Sequence, residues 1–167
     1  MCEKSVFCVF CEINREDKAE LFLQEAGYNV ISAFAERRII VNGKIKNVLR
    51  SLVPGYVFFE TEKILDGIAW REICKMQHIR YPLKYTDNEK KLRGKDLEFI
   101  HWLKGNKGVI KISKIIEIGN RINVLEGPLK DYEGKIIKIN KRQKCVAVKL
   151  DGEGMENIIW LSYECVQ

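Results

Sequence analysis

Gly119-Asn-Arg-Ile-Asn-Val-Leu-Glu-Gly127-Pro128-Leu-Lys-Asp-Tyr-Glu-Gly134-Lys-Ile-Ile-Lys-Ile-Asn140 is the stretch that decides the fold of the second half of this chain. Three glycines and one proline separate short runs rich in β-branched residues, which are stiff at χ1 and favour strands. Gly127-Pro128 is a turn signal, and Gly134 is expected to need a positive φ. Working outward, no helical stripe follows Gly119. The pattern predicts strands at Arg121–Leu125, Lys135–Asn140, Cys145–Leu150 and Asn157–Leu161, with turns at Asn140–Lys144 and Asp151–Gly154. Short strands and Gly-rich turns over about 50 residues suggest a small SH3-like β-barrel.

The first half reads differently. Ser5 to Cys11 is a short β-like run. Asn14 is placed to cap a helix with Asp17 three residues on, Ala19, Phe22, Leu23 and Ala26 recur at helical spacing, and Gly27 suits the C-terminal end. Tyr28 to Ala35 returns to strand, and Asn42-Gly43 between β-like arms is the strongest short hairpin signal. Tyr56 to Glu60 reads as a buried strand. Leu65, Ala69, Ile73 and Met76 mark a second helix, and Leu97, Ile100 and Leu103 a third that Gly105 ends. An open antiparallel sheet with helices on one face is the natural packing, so the whole is α+β. Gly105-Asn106-Lys107-Gly108 looks like a linker. The expected division is 1–104, a connector over 105–118, and 119–167.

Length and composition exclude several classes. The chain has 167 residues, 46% hydrophobic and 31% charged, as in a globular protein. No apolar run is long enough to cross a bilayer, and Met1-Cys2-Glu3-Lys4 does not open a signal peptide, so a cytoplasmic monomer without membrane contact is expected. Six cysteines read as reduced thiols filling space. Cys8 and Cys11 form a C-x-x-C, but no second pair follows, and on a strand they point to opposite faces. No metal or other cofactor is implied.

Charge is unevenly spread around a net +6. Residues 37–59 hold Arg37, Arg38, Lys44, Lys46 and Arg50 and no acid. Lys135, Lys138, Lys141, Arg142, Lys144 and Lys149 follow in a second acid-free run, although residues 113–167 as a whole hold 9 basic and 8 acidic side chains. That polarity favours a one-sided polyanion contact. A solvated Lys-rich strand that blocks edge pairing is the equal alternative from composition alone. A narrow hairpin suits a structured RNA with a bulge or loop, and Arg142, with its planar fork, is the candidate for a base contact.

Two stretches carry a family resemblance. The segment from Gly119 to Asn140 resembles a KOW motif, and Val53-Pro54-Gly55-Tyr56-Val57-Phe58-Phe59 looks like the Phe-Pro-Gly-Tyr-Val strand of the amino-terminal (NGN) domain of NusG-type transcription factors. They occur in the family's order and span nearly the whole chain. The resemblance implies a domain that docks on bacterial RNA polymerase through an apolar depression, at positions matching Phe10, Val53, Tyr56 and Phe58 here. It also implies a KOW module that binds RNA, a ribosomal protein or a termination factor. Val53 stands where the family often has Phe. Asp131 stands where a Gly is common, so the turn there is expected to be made by Asp, which tolerates left-handed backbone. The segments Gly127-Pro128-Leu129 and Glu133-Gly134-Lys135-Ile136, with a long Leu92-to-Leu103 helix, look most like the specialised paralogs of the family, the LoaP subgroup among them.

The reading is therefore a transcription elongation or antitermination factor. The alternative is a KOW-type RNA-binding or ribosome-associated protein that does not touch polymerase. Burial beneath helices alone also accounts for the four apolar positions. An enzyme is not expected. His78 and His101 are the only histidines, and a Cys74–His78 pair at helical spacing has no third group to orient it.

Overall fold

Strand β1 (Ser5–Cys11) alternates apolar residues on both parities, and β5 (Tyr56–Thr61) does the same, so the sheet they form needs cover on both faces. In the computed structural model, which describes residues 3–155 and 158–166, it has that cover. The four strands run in the order β2-β5-β1-β6, all antiparallel, with β2 spanning Asn29–Ile31 and β6 spanning Ile79–Pro82. Helices α1 (Glu16–Glu25) and α2 (Gly67–Cys74) bury Phe7, Val9, Val57 and Phe59 on one side. Helix α3 (Gly94–Gly105) lays Phe99, Ile100 and Leu103 over Val6, Cys8 and Phe58 on the other. The expectation of helices on one face is thus corrected. Cys8 and Cys11 fall in opposite clusters, as their spacing on a strand requires.

Local signals set the element ends. Gly27, at φ +93°, closes α1: its N–H bonds to Gln24 O, and Tyr28 N–H reaches back to Leu23 O. Asn14 does not cap α1. It sits in the left-handed region at φ +69°, the cap position falls to Arg15, and no side-chain capping bond forms. Helix α2 does have a side-chain cap, Asp66 Oδ1 accepting from Ala69 N–H at 2.8 Å. The predicted hairpin joins β3 (Phe34–Val41) to β4 (Lys44–Ser51), in register from Phe34↔Ser51 to Val41↔Lys44. Asn42 and Gly43 both take positive φ, the pair of conformations a two-residue turn between right-twisted strands demands.

The segment expected as a connector is ordered into sheets. β7 (Val109–Ile110) pairs in parallel with β3, and β8 (Ser113–Ile118) belongs to the second sheet. That sheet also contains β9 (Arg121–Glu126), β10 (Ile136–Asn140), β11 (Cys145–Lys149) and β12 (Ile158–Cys165), in the order β10-β11-β12-β8-β9. Only its β12–β8 pair is parallel. The last predicted strand is present as β12, although Asn157 lies outside the described residues. Between β9 and β10 runs a 3₁₀ stretch, Pro128–Lys135. Its turn is made by Gly127 at φ +107°, where a Cβ would stand 2.5 Å from Ser113 Oγ. Gly134 and Asp131 keep ordinary backbone, against expectation. The Ser113 hydroxyl accepts from Leu129 N–H at 3.0 Å, so Gly127 is small because β8 runs directly beneath it.

One core runs through all three sheets, the third being β4-β3-β7. Phe58, Phe99, Ile100 and Leu103 continue into Ile110, Ile115, Leu129, Val146, Ile159 and Tyr163. Among the described residues, no helix is long and apolar enough to cross a membrane.

Candidate functional site

Of the four apolar positions read as a docking groove, the structure separates two from two. Val53 and Phe58 are fully buried, and Phe58 meets Phe99 of α3 edge-on at 6.4 Å between ring centroids. As they stand they are core. Phe10 and Tyr56, directly opposite each other across β1 and β5, remain half-buried with centroids 4.8 Å apart. A third ring extends the row. Tyr81 on β6 lies 4.8 Å from Phe10 and is 57% exposed. The short strand that carries it, Ile79-Arg-Tyr-Pro, ends in proline and shows no clean alternation, which hid it from the sequence reading. A large aromatic exposed at a sheet edge beside two half-buried ones is what a partner's apolar side chain docks against.

The basic positions of the second module also sort into two groups. Lys135 is paired with Asp151, and Lys141 lies 3.8 Å from Glu117. Lys138 and Lys149 are exposed on the strands. Arg142 and Lys144 project from the β10–β11 turn, which Asn140 braces by accepting from Gln143 N–H at 3.0 Å, with Lys144 in the left-handed region. The six are therefore not one uniform face.

Across from that turn stands the other acid-free run, on the β3–β4 hairpin. A cleft of about 700 Å3 separates them, with Arg37, Arg38, Ile40, Ile45 and Arg50 on one wall and Arg142, Lys144 and Trp160 on the other. Two of these cations hold the walls together. The Arg37 guanidinium donates to the Trp160 carbonyl and to Ser162 Oγ, and Arg38 pairs with Glu164 at 2.5 Å. Burial pulls Arg37 below its ordinary value. Ile40 and Ile45, paired across the hairpin, are 77% and 70% exposed at its tip. The sequence marked the charge of this hairpin but not that it faces the second module.

A second set of contacts between the halves is made from both ends of α3. Trp102 sits edge-on to Tyr132 at 4.8 Å and donates its indole N–H to Asp131 Oδ2 at 3.0 Å. The buried carboxylate of Asp96 accepts from the Tyr85 hydroxyl at 2.6 Å and from Gly154 N–H at 3.0 Å. Arg93 pairs with Glu153 beside it.

The residues weighed for catalysis are not brought together. Helix α2 ends at Cys74, so His78 does not share a helix face with it; His78 takes φ +72° and places Nδ1 3.1 Å from a Glu12 oxygen. That contact holds the Glu12 carboxyl below its ordinary range. Burial raises the Cys8 and Cys11 thiols, the latter to about 12, the opposite of an activated nucleophile. Among the described residues, no group of three or more His, Cys, Asp or Glu is placed to hold a metal ion.

The fold defines a two-part protein: a helix-covered antiparallel sheet carrying an aromatic row, joined to a small β module with exposed cations at one turn. Comparison with known proteins agrees. The family model described as "Transcription termination factor nusG" matches residues 4–100, more than half of the chain. The "Transcription termination/antitermination protein NusG" of Synechocystis is 25% identical over 131 residues, covering 70% of this chain; the chain spans 60% of that relative's length. A solved structure titled "Domain interaction in Thermotoga maritima NusG" superposes over 96% of this chain and 94% of its own, with a TM-score of 0.52 at 19% identity. The chain belongs to the NusG family, a family of non-enzymatic transcription factors.

Proposed function

We propose that this protein is a transcription elongation and antitermination factor that docks on bacterial RNA polymerase through its first sheet and holds RNA through its second module. The observation that carries the reading is the Phe10–Tyr56–Tyr81 row, set on the sheet that the family match covers. An apolar strip with aromatic walls and a polar rim is the surface a partner helix occupies. Docked there, the factor acts by position alone, steadying the elongating enzyme and bringing the basic module to the emerging transcript. Within the family we read it as a specialised paralog of the LoaP kind, on the Gly127-Pro128-Leu129 and Glu133-Gly134-Lys135-Ile136 segments. It works in the cytoplasm.

Transcription in vitro across a terminator tests this, on templates with and without a structured leader. Readthrough should rise on adding the protein, and rise most with the leader present. No change in readthrough, together with RNA binding by the protein alone, would favour the KOW-type RNA-binding protein that never meets polymerase.

A further inference from the structure

We propose that the cleft between the β3–β4 hairpin and the β10–β11 turn is a composite nucleotide site, taking one or two unpaired nucleotides of a structured RNA between the two modules. This rests on the RNA-binding reading above and adds a component to it: the first module supplies half of the site.

Three observations converge. First, charge: Arg50 comes from β4, and Arg142 and Lys144 from the turn, and all three are exposed with no ion pair recorded among the described residues. Among the described residues, no Asp or Glu lines the cleft. Glu164 and Glu117 are each already engaged, with Arg38 and Lys141. Cations gathered on opposite walls repel one another until an anion enters. Second, shape: about 700 Å3 falls in the ~300–1,000 Å3 range of small-ligand sites, too small for a duplex but adequate for extruded bases. Third, the walls are not only charged. Ile40, Ile45 and the half-buried Trp160 give apolar surface beside the cations. An unstacked base wants an aromatic or aliphatic face with its phosphates held outside, and regular A-form RNA offers neither a splayed base nor a readable deep groove. An acidic peptide would use the cations but leave the Trp160 face without a planar partner.

The test uses the full chain and an oligouridylate of about 12 nucleotides, within the ~4–16 nucleotides single-strand sites span. Binding is followed by the fluorescence anisotropy of the end-labelled RNA and, separately, by tryptophan quenching, with a polyglutamate of similar length as competitor. Arg50→Ala and Arg142→Ala should each weaken binding about tenfold, the order expected for one lost charge-assisted hydrogen bond. Each should also flatten the log–log salt dependence by about 0.7. Trp160→Phe, which keeps an aromatic wall, should abolish most of the quenching while retaining affinity within about threefold, since any ring offers a stacking face. Thermal melts confirm that the variants are folded. If Arg142→Ala weakens binding and Arg50→Ala does not, the RNA contact is confined to the second module and the composite site is wrong, though RNA binding stands. If the unmodified protein does not bind the RNA at all, both readings fall. Equal displacement by polyglutamate would make the cleft a site for acidic protein instead.

Discussion

Replacing Asp96 by Ala should loosen the contact between the two halves of the molecule. Asp96 is 1% exposed on the first turn of α3. One of its oxygens accepts both the Tyr85 hydroxyl and the backbone N–H of Gly154, while the other finds no partner among the described atoms. Burial and that carboxylate hold the Tyr85 hydroxyl above its ordinary range, so it remains a donor at any working pH. Truncation strands a hydroxyl and an amide, at about 1–3 kcal/mol each. It also relieves the desolvation of a carboxylate that is only half satisfied, which offsets part of the loss. A net cost of about 2–4 kcal/mol follows, and at roughly 2–4 °C per kcal/mol for a chain of this size the Tm should fall by about 5–15 °C. Amide exchange locates the effect: Gly154 should lose protection well before the β1–β5 pair does. Tyr85→Phe, which removes one of the two bonds, should lie between. A Tm within about 1 °C of the parent together with unchanged Gly154 exchange would refute the reasoning, because the carboxylate would then hold nothing.

Two further outcomes follow from single positions. Gly127→Ala should destabilise by at least about 2 kcal/mol, since the backbone is left-handed and the new Cβ would meet Ser113 at 2.5–2.8 Å; a urea midpoint equal to the parent's would contradict this. Glu20 is lifted to about 7 by burial, with the Ser32 hydroxyl bond opposing. Its folded value lies above its unfolded one, so the native state binds the extra proton, and stability contributed by the group falls as pH rises from about 4.5 to about 7. Glu20→Gln should therefore raise the Tm at pH 8 and leave it nearly unchanged at pH 4.5, and a difference independent of pH would contradict the assignment.

Much of this architecture was legible because the signals are local. Asn42-Gly43 fixes a hairpin by backbone conformation alone, and the double-parity apolar runs of β1 and β5 contain the need for cover on both faces. Reading that cover as one-sided missed what Phe58 and Cys8 imply when Phe7 and Val9 are also apolar. Strand β7 looked like a connector because its pairing is parallel and long-range, to β3, and nothing nearby in sequence announces it; β8 does pair with its neighbour β9, but its other partner, β12, is parallel and equally distant. The same holds for the surfaces. Composition located both basic runs, yet only the fold places Arg50 opposite Arg142. The aromatic row was half visible: Phe10 and Tyr56 came from the family resemblance, whereas Tyr81 sits on a four-residue edge strand that no periodicity marks.

The most direct test of the account is the affinity of purified core RNA polymerase for the full chain and its Tyr81→Ala variant, with melting temperatures measured in parallel. Tyr81 is exposed, so its truncation should shift the Tm by no more than about 2 °C, as surface substitutions do. If the row is the docking surface, the same change should weaken polymerase binding at least about tenfold, as loss of an interface aromatic does. Phe58→Ala provides the contrast, since emptying a buried ring costs about 3–5 kcal/mol of stability. Unchanged affinity for the stable Tyr81→Ala protein, or no binding by the parent chain, would contradict the account.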